Sequence, residues 1–283
     1  MVKAINYWSF PGGLEGTLSP FDAIRHAAAY RFPALELAIG DVGAALGVDA
    51  DERTCRDIAD AASEAGVALP SVASGLYWSR NLGDASPAHR AQALDDLKKM
   101  LQIARWLGAK TLLTIPGAVD VFFMPDRAPL STEHVWRYAT EGIRAALPTA
   151  EASQVRMGIE NVWNKFLMSP HEMAAFIDQF DSPWVGAYVD VANLIPFGFA
   201  EDWLRHLGKR VVGVHFKDFR RSVGTLDGFV DLLEGDVDWP EVVLALRDIG
   251  YDGPVAAEMI PGYRHHPMVR IANTSNAMDA ILA

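Results

Sequence analysis

Short apolar runs alternate with longer amphipathic stretches from one end of the chain to the other. The runs at 3–8 (KAINYW), 34–38 (ALELA), 68–74 (ALPSVAS), 110–115 (KTLLTI), 155–160, 185–190, 211–215 and 254–258 are largely apolar and often β-branched. That is the pattern of strands covered on both faces. The stretches at 51–65, 86–107, 131–147, 170–180, 199–208, 239–249 and 267–282 instead carry apolar residues at helical spacing. In 86–107, Leu94, Leu97, Leu101, Ala104 and Leu107 fall on one stripe. Ser19, Ser86, Ser131 and Ser169 stand at N-cap positions, and Pro follows the first, second and fourth. Gly66, Gly108, Gly208 and Gly250 fall just past helix ends, where a left-handed residue is wanted. Eight strand units separated by helices predict an α/β fold, a (β/α)8 TIM barrel rather than a doubly wound sheet. No linker or composition break divides the 283 residues, so one barrel domain over 1–283 is expected.

Composition narrows the possible partners. Half of the chain is hydrophobic, enough for a sizeable core without external staples. The formal charge is −11 and there is no Lys/Arg-rich stripe, which argues against nucleic acid as a partner. Cys55 is the lone cysteine and lies in a helical stretch, which excludes an internal disulfide and a cysteine-based metal cluster. The opening MVKAINYWSF lacks the apolar core of a signal peptide. No apolar run approaches the roughly 18 residues of a membrane span. A cytoplasmic protein with no membrane partner is expected.

Four apolar runs in the second half each end in a metal-binding type of side chain: VRMGIE at Glu160, VGAYVD at Asp190, VVGVH at His215 and PVAAE at Glu258. Taken singly, each has an ordinary reading: an exposed carboxylate, a turn cap, a rim histidine. Together they are a different matter, because in a barrel the C-terminal strand ends form the active-site rim. These residues would end strands 5, 6, 7 and 8, which are neighbours. The intervals are 30 residues from Glu160 to Asp190, 25 on to His215 and 43 on to Glu258, each long enough for a helix and a return strand. Two glutamates, an aspartate and a histidine form a hard O/N donor set suited to Mn²⁺, Mg²⁺, Co²⁺ or Zn²⁺. Such an ion keeps positions open for the hydroxyl and carbonyl oxygens of a sugar and stabilises an enediolate. Two glutamates flanking the substrate carbon can act as base and acid, giving epimerisation or aldose–ketose isomerisation.

The segments IENVWNKF, YVDVANL, VHFKDF and AAEM resemble the sugar phosphate isomerase/epimerase family of xylose-isomerase-like barrels. GLYWSRNL, ARWLGAKTLLTIPG and EGDVDWPEVVLALRDIGYDG extend the likeness through most of the chain. Ketose 3-epimerases and L-xylulose 5-phosphate 3-epimerases belong to that family. The resemblance implies Glu160, Asp190, His215 and Glu258 as ligands of one divalent ion, Mn²⁺ first among the candidates, with Glu160 and Glu258 as the acid/base pair. It also implies a small sugar or sugar phosphate as substrate and a homo-oligomer, dimer or tetramer. Ketose 3-epimerases often place a substrate-contacting His three residues after the strand-6 Asp, where this chain has Asn193. They place an Arg six residues after the metal His, which Arg221 matches. Epimerases of unphosphorylated ketoses carry a further Glu beyond the strand-5 ligand, where this chain has Phe166 and Leu167. That departure leaves the sugar and its phosphorylation open. The same first step also serves a metal-dependent lyase of the inosose dehydratase type, which is the alternative reading.

Other polar and aromatic residues have two readings each. Lys217 and Asp218 would orient substrate or form a rim salt bridge. Asn161 and Asn193 would bond carboxylates or sugar hydroxyls, or merely form turns. Trp78 and Trp163, just past strands 3 and 5, would wall the sugar or pack under a loop. Glu36 near the end of strand 2 would reach the site or form a structural ion pair, the latter being preferred. The cluster Tyr263, Arg264, His265 and His266 is a candidate anion site or a solvated loop. The loop at 117–130 is expected to contribute to specificity.

Overall fold

The computed structural model describes residues 1–121 and 123–283. Position 122, part of the loop expected to shape specificity, lies outside the described residues. Eight parallel strands close into a barrel: β1 Val2–Asn6, β2 Ala34–Ile39, β3 Ser71–Ser74, β4 Thr111–Thr114, β5 Arg156–Glu160, β6 Val185–Asp190, β7 Val211–Phe216 and β8 Pro254–Ala257. Each pairs with its sequence neighbour, and β1 pairs with β8 to complete the ring. The helices between them are α1 Pro20–Ala29, α2 Glu52–Glu64, α3 Pro87–Leu107, α4 Thr132–Ser153, α5 Pro170–Asp178, α6 Ala200–Leu207, α7 Trp239–Asp248 and α8 Pro267–Leu282. The expected (β/α)8 TIM barrel is therefore the observed fold.

Local chemistry sets the element boundaries. The side chains of Ser86 and Ser131 accept from backbone N–H groups three residues on, and Ser169 with Glu172 closes a reciprocal capping box. Ser19 makes no side-chain cap; there Pro20, at the first helical position, brings one fewer free N–H to satisfy. Gly66 and Gly108 turn the chain out of α2 and α3 at positive φ. Two boundaries depart from the sequence reading. Residues 7–9 form a 3-10 turn rather than continuing β1. Helix α4 runs through Pro148 to Ser153, past the expected stop at 147, and its Ala146 and Ala150 are fully buried against the barrel.

The barrel wall is apolar on its helix-facing side, with Leu35, Leu37, Val72, Leu112, Val189, Val214 and Val255 all fully buried. Small residues thin the interior: Ala4, Ala34 and Ala256 form their own cluster across β1, β2 and β8. One large ring occupies the middle, Tyr188, also fully buried. Between β6 and β7 the register shifts by one residue, from Ala187 opposite Val211 to Tyr188 opposite Gly213. That shift brings Asp190 opposite His215; without it Asp190 would face Val214, and the side chain of His215 would sit one step further along. Beyond β7 the chain makes a small antiparallel pair, Asp218–Phe219 with Phe229–Val230. Among the described residues no helix is long and apolar enough to cross a membrane.

Candidate metal centre

Glu160 and Asp190 are the last residues of β5 and β6, His215 is next to last in β7, and Glu258 directly follows β8. Barrel closure brings one ligand atom of each within 4.8 Å of all the others. All four are buried, Asp190 and His215 completely. His215 Nδ1 stands 3.5 Å from Glu160 Oε1, 3.5 Å from Glu258 Oε2 and 4.0 Å from Asp190 Oδ2. His215 Nδ1 is buried with no hydrogen-bond partner, and Asp190 Oδ2 and Glu258 Oε2 make no well-formed hydrogen bond, meeting the Lys217 ammonium only as an ion pair. Three carboxylates sharing one ammonium and one imidazole leave a buried group of acceptors that is costly unless something else joins it. Their convergence, and the hard O/N chemistry of the set, fit a divalent cation.

The backbone around the cluster is stiffened by asparagines. Asn161 clamps the end of β6, donating from Nδ2 to Asp190 O at 2.8 Å and accepting from Asp190 N at 2.9 Å. Asp190 Oδ1 accepts from the N–H groups of Ala192 and Asn193, each at 3.0 Å, which leaves Oδ2 for the cluster. Asn193 in turn donates from Nδ2 to Asn161 O at 3.0 Å. Its amide therefore builds the wall of the site and ties the β5 and β6 loops together.

Behind His215 lies a carboxylate from the far side of the barrel. Glu36, in β2 and fully buried, stands 2.6 Å by Oε1 from His215 Nε2, accepts from Asn6 Nδ2 at 2.7 Å, and takes the Tyr188 hydroxyl on Oε2. Glu36 was expected to form a structural ion pair; the barrel places that pair on His215, a member of the cluster. Asn6 and Tyr188 escaped the sequence reading. A tyrosine within the otherwise small run VGAY was the only trace of the second.

Burial and charge oppose each other throughout. Burial alone would raise the Glu36 carboxyl, but the His215 charge and hydrogen bonds hold it below its ordinary value. Burial pushes Glu160 up to about 7, with the Glu258 charge adding to it and the His215 contacts resisting. For His215, burial works against the charged ring, yet Glu36, Glu258 and Glu160 together raise it well above its ordinary value. Lys217 lies 3.0 Å from Asp190 Oδ2 and also pairs with Glu258. Those carboxylates keep its ammonium charged against the cost of burial.

The remaining predicted residues lie further out. Trp163 donates from Nε1 to Asn193 O at 2.9 Å and stacks among Phe197, Phe219 and Phe229, part of the wall beside β5 and β6. Trp78 meets Phe123 edge-on in the turn after β3. Arg221 rides on the ring of Phe199 on the exposed loop after β7, and its backbone N–H donates to Asp236. Asp218 takes neither expected role; it accepts from the backbone N–H groups of Phe219, Leu233 and Val237 and from Trp239 Nε1, holding that loop together. Phe166 and Leu167 are buried core residues, Phe166 packed on Trp136 and Phe176. In the 261–266 loop, Tyr263 bonds Asp231, which also pairs with Arg270 at 2.6 Å.

Cavities flank the barrel at both ends. One of about 460 Å³ opens beside the ends of β1 to β3, walled by Tyr7, Trp8, Gly40, Asp41, Gly75 and Leu76. The larger, about 540 Å³, lies against the starts of β5 to β7 with the Arg210–Asp178 pair, at the end of the barrel opposite the cluster. Rim chemistry in this fold belongs at the strand C-termini, so the first of these is placed to extend the site and the second is not.

The model of the xylose isomerase-like TIM barrel family matches residues 24–279. The L-ribulose-5-phosphate 3-epimerase UlaE of Salmonella paratyphi A is 24% identical over 264 residues, 93% of this chain and 89% of that protein. Among solved structures, D-psicose 3-epimerase with D-tagatose from Clostridium cellulolyticum H10 superposes with a TM-score of 0.79 at 18% identity, covering 100% of this chain and 99% of that one. The IOLI protein with a bound zinc atom superposes with a TM-score of 0.80 at 14% identity, covering 100% and 98%. At these identities the two superpositions speak to the fold.

Proposed function

The chain belongs to the xylose isomerase-like TIM barrel family, and from that premise we propose that it is a divalent-cation-dependent epimerase of a ketose or ketose phosphate, acting at C3. The observation that carries this reading is the buried convergence of Glu160, Asp190, His215 and Glu258, three carboxylates around an imidazole nitrogen that has no hydrogen-bond partner. The sequence relative named as an L-ribulose-5-phosphate 3-epimerase supports the reaction class.

Glu160, Asp190, His215 and Glu258 would hold the ion, Mn²⁺ being preferred for the oxygen-rich set. When bound, it supplies positive charge beside the sugar oxygens, where negative charge builds as the neighbouring C–H bond breaks. The two glutamates come from β5 and from the end of β8, on either side of the β6 and β7 ligands. That separation suits them to opposite faces of one carbon. Glu160 would carry the proton that is returned to one face of the carbon. Glu258, paired with the Lys217 ammonium, is suited to accept one. Loss of the C3 proton to Glu258 on one face and return of a proton from Glu160 on the other would leave C3 inverted. Asn161 and Asn193 keep the β5 and β6 ends in register, and Lys217 and Trp163 would contact the substrate. Trp78 and Arg221 lie further out on the rim and would reach only an extended sugar.

Metal analysis followed by incubation with ketoses and ketose phosphates in D₂O tests the proposal. Deuterium at C3 with inversion is the expected result. Transfer between C1 and C2, or loss of water, would replace epimerisation by isomerisation or elimination. Unchanged exchange in Glu258→Gln would remove the acid/base pair.

A further inference from the structure

Glu36 is a charged group placed where a barrel interior would more cheaply hold an apolar side chain. It lies on β2, away from the β5 to β8 ligands, and sequence proximity explains none of its contacts: His215 is 179 residues away and Tyr188 152. Donors from three strands converge on it: Asn6 of β1, Tyr188 of β6 and His215 of β7. An ionised carboxylate can only accept, so the 2.6 Å contact puts a hydrogen on His215 Nε2. In a ring bound to a cation, that leaves Nδ1 as the free lone pair. Nδ1 is the nitrogen that faces Glu160, Asp190 and Glu258 and has no hydrogen-bond partner.

We propose that Glu36 is a positioning residue of the cation site: it holds His215 by Nε2–H, aims Nδ1 at the three ligand carboxylates, and by its charge strengthens that nitrogen as a donor. The inference rests on the cation-site reading above and adds a fifth residue that touches neither cation nor sugar. Asn6 extends the arrangement to the rim, since its Oδ1 accepts from Trp8 N at 2.7 Å and Trp8 walls the cleft beside β1 to β3. A carboxylate behind a ligating imidazole fixes ring and tautomer and raises ligand basicity; its loss usually weakens binding about 10–100-fold.

The test is Zn²⁺ titration calorimetry on the full chain, with ¹⁵N NMR of the zinc-loaded protein. Glu36→Gln keeps the size of the side chain and an acceptor but removes the charge. It should bind Zn²⁺ about 10–100-fold more weakly and move the low-field Nε2–H resonance of His215 upfield. Tyr188→Phe leaves the Glu36–His215 contact in place and should stay within about threefold of wild type. Glu36→Gln binding as tightly as wild type, or Tyr188→Phe losing as much as Glu36→Gln, overturns the proposal. Should Glu36→Gln not fold, the zinc-loaded wild type decides by itself: ligation through Nδ1 with a slowly exchanging Nε2–H supports the proposal, and ligation through Nε2 overturns it. A wild type that binds no divalent ion overturns the cation site and this role with it. Ion binding that weakens in Glu36→Gln, in a protein that converts no ketose, upholds Glu36 and overturns only the reaction.

Discussion

Tyr188 lies across Gly213: a Cβ built on that glycine would come within 2.8 Å of three atoms of the tyrosine ring. The one-residue register shift between β6 and β7 sets the two residues opposite each other. The ring can neither shrink nor leave the packed interior, so Gly213→Ala must displace it or the strand. The expected cost is about 1–3 kcal/mol, read as a lower thermal midpoint. Displacing the ring alone should leave Zn²⁺ binding within about threefold of wild type, whereas displacing the strand moves His215, two residues on, and should weaken it. At Gly158 the added Cβ would stand 3.0 Å from the ring, and Gly158→Ala should cost less. Equal midpoints for Gly213→Ala and wild type would show that the ring is not lodged there.

Chelation should destabilise the protein at neutral pH. Glu160, Asp190 and Glu258 crowd one pocket, and within it Lys217 and His215 supply the only opposing charge among the described residues. An ion at about a hundred times its Kd should add roughly 2.7 kcal/mol to stability. The melting midpoint with EDTA should therefore fall below that with excess Mn²⁺ or Zn²⁺. Lys217→Met should lower the chelated midpoint further, by the equivalent of about 3 kcal/mol, since it strips a buried partner from Asp190 and Glu258. Adding the ion should recover most of that loss, because the ion replaces the missing charge. A midpoint indifferent to EDTA in the wild type would count against the site.

Ion affinity should fall as the pH is lowered through neutrality. The ion takes the deprotonated forms of Glu160 and His215, and both carboxyl and imidazole are raised in the protein without the ion. Protons therefore compete, and binding releases them. With Glu160 near 7, its proton alone should weaken binding by about tenfold per pH unit below that value, roughly 100-fold at pH 5. Glu160→Gln should bind weakly but with a flatter pH dependence. Calorimetry in buffers of different ionisation enthalpy would count the protons released; zero at pH 6.5 would contradict the arrangement.

The sequence carried the barrel and the four ligands further than it carried their surroundings. Strand runs such as VGAYVD and VVGVH announce themselves by apolar β-branched content, and a polar residue marks each end. Cooperation between those ends followed once the strands were taken in barrel order. The support for His215 did not, because contact between β2 and β7 exists only after the ring closes. The register shift at Val212 leaves no mark in composition or periodicity either, yet it sets Asp190 opposite His215. The helical stretch read at 131–147 continues in the fold through Pro148, because burial of Ala146 and Ala150 holds α4 together across a residue that normally ends a helix. Phe166 and Leu167 read as departures from a sugar-binding position; in the fold they are core residues and have no room for a carboxylate.

The loop between β7 and α7 depends on one side chain. Asp218 is fully buried, yet among the described residues its carboxylate meets no lysine or arginine in hydrogen-bond range; it accepts from Phe219 N and Leu233 N at 2.9 Å, Trp239 Nε1 at 3.0 Å and Val237 N at 3.2 Å. Four N–H donors around one carboxylate neutralise its charge by hydrogen bonding alone. Asp218→Ala strands all of them in the interior, at about 1–3 kcal/mol for each donor that water cannot reach. Asp218→Asn keeps the shape but turns one acceptor into a donor facing an N–H, and should lie between the two. Because the loop carries Phe229, which stacks on Trp163, its loosening should reach the wall of the site. Hydrogen exchange across 219–238 should rise in Asp218→Ala before global unfolding, while exchange in β5 and β6 stays slow. Uniform loss of protection across the barrel would show instead that the loop and the barrel unfold as one unit.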